Sequence, residues 1–203
     1  MKKTVILISF VVLLLSVSVC WAQDEAMYNR AKSLYENKQY YEAHKLFVQS
    51  QYGDWEKMAK KCVRKWPNNG EIFHDSSEWL RDTQLTFKVD QPSDTAVLVR
   101  VYKVEKKSEK PVSYVFIGGS DAVTIGLPGN TKYRIKDGVG SEWFGEADAF
   151  GPDGAYETML FGDNEEEIIY LEQRMDYMIT INVENAIGED IGSEDAAWND
   201  FMK

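Results

Sequence analysis

The chain is poor in the residues from which small chemical sites are usually built. Its 203 residues hold two histidines and two cysteines, and without clustered Cys or His there is no zinc-binding pattern. His44 falls within an amphipathic helical stretch and His74 within Phe73-His74-Asp75-Ser76-Ser77. A Ser, a His and an Asp that are close in sequence do not make a triad, because the base must stand between nucleophile and orienting acid. No nucleophile elbow accompanies them. The expectation is a protein that is not an enzyme and uses no cofactor or metal.

Long apolar runs are also scarce. Only the first 22 residues approach the roughly 18 to 20 residues that span a bilayer. Lys2 and Lys3, the apolar core Val5 to Leu15 and Cys20-Trp21-Ala22 read as an export signal cleaved before Gln23. An uncleaved anchor is the rival reading, and a lipid on Cys20 a third, although Val19 stands where that processing prefers a small residue. The expected location is therefore exported, periplasmic or secreted. After cleavage Cys62 is the one remaining cysteine, so no intramolecular disulfide forms; it reads as a buried small hydrophobe or as a reactive thiol.

Positive charge is nearly absent from the last third. Residues 137–203 hold 2 Lys or Arg against 18 Asp or Glu, whereas residues 23–136 hold 19 against 15. Such an acidic field repels polyanions, which disfavours nucleic acid as a partner.

What is present begins with helical periodicity. Ala31, Leu34, Tyr35, Tyr40, Ala43, Leu46 and Phe47 recur at three, four and seven around a polar break at Glu36 to Gln39. This predicts an antiparallel helical hairpin. After Gly53, with Asp54 as N-cap, a third helix is expected to carry the stripe Trp55, Met58, Ala59, Cys62, Val63 and Trp66 and to stop at Pro67. Lys57, Lys60, Lys61, Arg64 and Lys65 lie opposite, as a solvated face or a surface for an anionic partner. The segment AKSLYENKQYYEAHKLFVQS resembles a tetratricopeptide repeat, with Lys38 at the turn position where glycine is common and Trp55 in place of proline. One repeat cannot form a solenoid.

Residues 71–83 read as a junction in which Ile72 and Phe73 start an edge strand, or Asp75 and Glu78 box a helix before Trp79 and Leu80. From residue 84 to 203, about eight short alternating runs separated by turns predict an antiparallel β-sandwich. They include Leu85 to Val89, Val97 to Val101, Val123 to Leu127 and Tyr177 to Val183. Pro128-Gly129 suits the centre of a type II turn. The predicted class is α+β, with a signal over 1–22, helices over 23–70 and the sandwich over 84–203. LPGNTKYRI resembles the strand-turn-strand of immunoglobulin-like and transthyretin-like surface domains, and the whole resembles exported bacterial proteins that join short tetratricopeptide-like helices to such a domain.

Trp143 and Phe144, between Gly138, Gly140 and Gly145, either pack inward or form an aromatic platform for a sugar or peptide. In the platform reading Tyr156 is a neighbour and Glu142 and Asp148 are acceptors. Two acidic loops, Asp163 to Glu167 and Glu189 to Asp195, lack the ligand spacing of a calcium loop. Trp198 and Phe201 are expected to dock a terminal helical turn. The sequence thus points to an exported interaction or scaffold protein that binds a protein partner or itself, head to tail through its uneven charge. A carbohydrate-binding module is the alternative.

Overall fold

A computed structural model describes residues 21, 23–90, 94–106, 108–183 and 194–202. The expected export signal, Cys20 included, lies outside the described residues apart from Trp21, as do Glu189 and Asp190. No helix among the described residues is long and apolar enough to cross a membrane. The fold is α+β: three short helices lead into a mainly antiparallel sheet domain and a fourth follows it. The chain divides into two units, one comprising residues up to Arg64 with Phe144–Asp148, the other Lys65–Trp143 with Ala149–Lys203.

In the first unit, α1 (23–36), α2 (Tyr40–Ser50) and α3 (Trp55–Cys62) enclose Ala31, Ala43, Phe47, Ala59 and Cys62. Helix α1 ends in a left-handed residue, Lys38, at φ 62°. The Gln39 N–H reaches the Leu34 carbonyl at 3.0 Å and the Lys38 N–H reaches that of Tyr35 at 3.0 Å, the paired bonds of a Schellman cap that glycine usually supplies. Helix α2 has no side-chain cap of its own from Gln39. Asp148 supplies one, accepting the Tyr41 N–H at 3.1 Å. Asp54 does precede α3, but its carboxylate accepts the Tyr28 hydroxyl rather than capping the helix.

The third helix is shorter than its apolar stripe predicts. It stops at Cys62, where Val63 turns extended, and Trp66 belongs instead to the second unit. There it lies against Phe116 at 6.1 Å and donates from Nε1 to the Ser141 carbonyl at 3.1 Å. Burial of this large ring in the sheet domain outweighs one further helical turn. The Cys62 thiol is fully buried, donates to the Met58 carbonyl and is pushed up to about 11 by burial. It is a protonated core group.

The second unit is a two-sheet sandwich. One sheet runs β1 (Gly70–His74), β4 (Glu109–Gly118), β3 (Ala96–Val104), β6 (Thr131–Gly140) and β7 (Ala155–Thr158), with β8 (Ile169–Leu171) also on β6. The other runs β5 (Asp121–Leu127), β2 (Thr83–Asp90) and β9 (Asp176–Asn182). The segment expected as a junction contains β1, an edge strand. All strand pairs are antiparallel except β2 with β9, which is parallel, so the sheet domain is mainly antiparallel, as the predicted class has it.

Between the sheets lie Leu85, Phe87 and Val89 of β2 and Ile125 and Leu127 of β5. Facing them are Val97, Val99 and Val101 of β3 and Tyr133, Ile135 and Val139 of β6. Alternation dictates this: each strand turns every second residue inward. Strand β3 is buried along both faces as far as Tyr102, because a second apolar layer covers its back. That layer joins Ala96, Leu98 and Phe116 of the sheet to Trp143, Phe150, Tyr156 and Phe201. The Tyr156 and Phe150 rings lie so close on β6 that a Cβ on Gly138 would fall 2.5 Å from the first, and on Gly140 2.7 Å from the second. Glycine is required there for space.

The Pro128-Gly129 turn is not type II. Positive φ falls on Asn130, at 54°, and not on Gly129. Gly129 is fixed by contact instead, since a Cβ would lie 2.3 Å from the Gln173 Cα.

Among the described residues one charge-bearing group faces the inner core. Asp137, on the same face of β6 as Ile135 and Val139, is 1% exposed, and its Oδ1 has no hydrogen-bond partner among the described residues. Burial, and then the Glu157 carboxylate across the strand pair, push its pKa up from 3.8 to about 8. The folded protein therefore holds this proton where the unfolded chain releases it. Its stabilising effect is complete below about pH 4 and is lost as pH rises toward 8, at up to about 1.4 kcal/mol per pH unit. Urea unfolding of wild type and Asp137→Asn across pH 4 to 9 should show the difference between them changing through that window; a constant difference contradicts the assignment.

Replacing Lys38 with glycine should stabilise the first unit by about 0.5–1 kcal/mol. Relief of left-handed strain exceeds the added freedom of the unfolded chain. Thermal unfolding reads this directly, and a lower midpoint would be the contrary result.

Candidate functional site

The connection between β1 and β2 carries the most exposed large apolar side chain of the second unit. Asp75 starts it with an Asx turn, its Oδ1 accepting the Ser77 N–H at 3.0 Å. No helix follows the Asp75/Glu78 pattern. Glu78 accepts Lys103 Nζ at 2.8 Å, and Arg81 makes a fork to both oxygens of Glu71 at 2.7 and 2.8 Å while its Nε donates to the Gly126 carbonyl at 2.8 Å. Trp79 and Leu80 are held between these two anchors, and Trp79 is 83% exposed.

Just beyond, the same end of the sandwich is tied together by polar bonds. Asp82 accepts the Gly129 N–H at 3.0 Å and Gln173 Nε2 at 2.5 Å, and Thr83 Oγ1 donates to the Glu172 carbonyl at 2.8 Å. The two backbone and amide bonds, in that order, hold the Asp82 carboxyl below its usual range. The indole is thus presented by a braced loop, a large rigid amphipathic ring of the kind enriched at the centres of protein interfaces.

A second feature is a charged cleft of about 470 Å³ on the back of the larger sheet, lined by Tyr102, Glu109, Arg134, Lys136, Thr158, Glu167 and Asp200. Arg134 bridges Glu109 and, at 3.0 Å, Glu167. Lys136 donates to the Asp200 carbonyl at 2.7 Å and its carboxylate at 2.9 Å. Beside it Arg100 lies between the rings of Tyr114 and Phe201, at 4.8 and 4.6 Å, and donates to the Phe201 carbonyl at 3.1 Å. Helix α4 (Glu194–Met202) has no basic residue in its last turn. Two sheet cations therefore satisfy the carbonyls of its negative end. An incoming anion meets Arg134 and Lys136 only by displacing carboxylates already bound to them.

The remaining sequence-derived candidates separate. Trp143 is 4% exposed and packs on Phe116 and Phe150, at 5.1 and 5.5 Å. Phe144 is 2% exposed and belongs to the first unit, against Tyr41 and His44 at 5.3 and 5.5 Å. The two rings thus form no shared solvent-facing platform. Tyr156 is buried, its hydroxyl donating to the Gly151 carbonyl and accepting the Phe150 N–H. Glu142 is exposed, and Asp148 caps α2, with burial raising its pKa.

Lys57, Lys60, Lys61, Arg64 and Lys65 are all exposed, and Arg64 also lies over the Tyr40 ring at 4.7 Å. Asp163 to Glu167 form an exposed turn whose last residue is the Arg134 partner. Among the described residues no three His, Cys, Asp or Glu side chains converge on a metal position. Trp79 was hidden in the sequence behind a helix-start pattern. Its signal is that the residues two, three and four before it, Ser77, Ser76 and Asp75, are all polar.

Lys136→Met removes one of the two cations holding the end of α4. Loss of a charge-assisted bond of about 1.5 kcal/mol should speed amide exchange at residues 198–202 roughly tenfold, leaving β3 and β6 protected. Unchanged exchange would mean that the aromatic contacts alone hold the helix. Comparison with known proteins adds no relative: no family model, no curated protein and no solved structure matches this chain.

Proposed function

We propose that the protein is exported and acts as a non-enzymatic interaction protein, binding a protein partner through the Trp79–Leu80 face. The observation that carries this reading is the 83% exposure of Trp79 between two ion-paired anchors. An apolar ring fixed in water loses hydration free energy that a partner's pocket recovers, with little conformational entropy left to lose on binding. The export pattern of residues 1–22 and the likenesses to a tetratricopeptide repeat and to immunoglobulin-like or transthyretin-like surface domains support an extracytoplasmic setting. The exposed basic set from Lys57 to Lys65 offers an acidic partner a second contact.

Three measurements test this. N-terminal sequencing of the processed protein should begin at Gln23, and an intact Met1 on a cytoplasmic product would overturn export. A photoreactive benzoylphenylalanine at position 79 should give a discrete protein adduct in the native cell. Trp79→Ala should lose the partner while changing stability by less than about 0.5 kcal/mol. Adducts from other exposed positions but none from 79 would move the interface elsewhere.

A further inference from the structure

A β-sheet edge that offers unpaired N–H and C=O groups templates another strand, and proteins usually guard such edges. Three of the four sheet edges here carry a guard. Strand β5 has its Gly126 carbonyl taken by Arg81. Strand β1 is broken by a register shift between Glu71 and Phe73. The third edge, beyond β6, is formed by β7 and β8, which have four and three residues.

Among the described residues strand β9 has no such device. Asp176-Tyr177-Met178-Ile179-Thr180-Ile181-Asn182 is seven residues long, contains no Lys, Pro or Gly, and ends its sheet among the described residues. Its register sets Gln84 opposite Asp176, with the Gln84 N–H on the Met175 carbonyl at 3.0 Å. In a parallel pair this directs the backbone groups of Tyr177, Ile179 and Ile181 to β2 and those of Met178 and Thr180 away from it. Tyr177 and Ile179 pack against the inner core yet are only half-buried, and Met178 is 67% exposed.

We propose that the free edge of β9 pairs antiparallel with β9 of a second copy, about a two-fold axis at Ile179, joining two three-stranded sheets into one of six. This register uses all seven residues. Met178 then stands opposite Thr180 twice, each pair exchanging two backbone hydrogen bonds through the groups that face away from β2. Tyr177 stands opposite Ile181, and Ile179 opposite itself, which continues the apolar inner face across the junction. Asp176 stands opposite the uncharged Asn182. The two Asp176 carboxylates fall at opposite ends of the pair, about 20 Å apart at 3.4 Å per residue, beyond the ~8–10 Å reach of charge at physiological salt. The strand is self-complementary, and this singles out a second copy as its occupant. One strand pair buries less than a standard interface of ~1,200–2,000 Å², so the dimer is weak and forms between about 1 µM and 1 mM.

Sedimentation of the purified protein over that range should show a monomer passing to a dimer. Met178→Lys with Thr180→Lys sets lysine opposite lysine and should weaken the dimer at least tenfold. Met178→Glu with Thr180→Glu should do the same, and mixing the two doubly substituted proteins should restore a one-to-one heterodimer. Both side chains face solvent, so the melting temperature of each monomer should match wild type. If a variant misfolds, amide exchange on wild type decides: Met178 and Thr180 should gain protection as concentration rises. A wild type that stays monomeric to 1 mM overturns the proposal. So does a dimer indifferent to the lysine and glutamate changes, including one that salt dissociates as a head-to-tail charge contact would. A mixture that fails to pair, or amides at 178 and 180 that stay unprotected in the dimer, overturns it as well. None of these outcomes bears on Trp79, whose partner binding is read from its own adduct.

Discussion

The sheet domain depends on the double burial of β3. A strand apolar on both faces, from Ala96 through Val101 with only Arg100 interrupting, needs a layer on each side. The smaller sheet covers one. The other is covered by Trp143 and Phe150 from irregular chain, Tyr156 from β7 and Phe201 from α4. Gly138 and Gly140 exist to let two of those rings lie flat on β6. Arg100 is the one charge on that face within the buried run. It is accommodated because two rings and a helix-end carbonyl replace its water. The aromatic cover and the docked helix are therefore consequences of one strand's composition.

The elements made by local periodicity were legible in the sequence. Val97, Val99 and Val101 read as a strand because alternate residues meet one core, and Ala31, Ala43 and Phe47 read as helix because theirs recur at the helical repeat. What was not legible depended on distant chain. Nothing near Tyr41 reveals that Asp148, 107 residues on, caps α2. Nothing near Trp66 shows that its ring leaves the helical stripe for Phe116. The turn at Pro128-Gly129 was misassigned for the same reason: local chemistry favours positive φ on glycine, but Gly129 is fixed by Gln173 and the left-handed residue becomes Asn130. Trp143 and Phe144 could be seen as candidates but not resolved between inward packing and display, since that choice lies in which clusters wait to receive them.

Exposed and buried oddities carry different meanings here. Asp137 is a polar group inside an apolar layer and costs stability whenever it ionises, so its effect is read in the pH dependence of unfolding. Trp79 is an apolar group in water, and in the proposed reading its effect is read in what it binds. The cleft at Arg134 and Lys136 is charged but internally matched, and its cations are engaged in holding α4 and the 163–167 turn. Charge alone would have ranked the cleft above the loop. The pairing of each cation reverses that order.

One residue links the loop to the open edge. Arg81 grips Glu71 with its terminal nitrogen and Gly126 with Nε. The first contact braces the loop that displays Trp79. The second closes the free side of β5, leaving β9 as the unguarded margin of the smaller sheet. The two proposed surfaces call for different means of recognition, since an indole is bound by a pocket that fits its shape whereas a strand edge is bound by backbone groups common to every protein. Backbone pairing alone discriminates poorly, so specificity at β9 must come from its side chains. Met178 opposite Thr180 and Asp176 opposite Asn182 supply it only when the second strand is the same sequence running the other way.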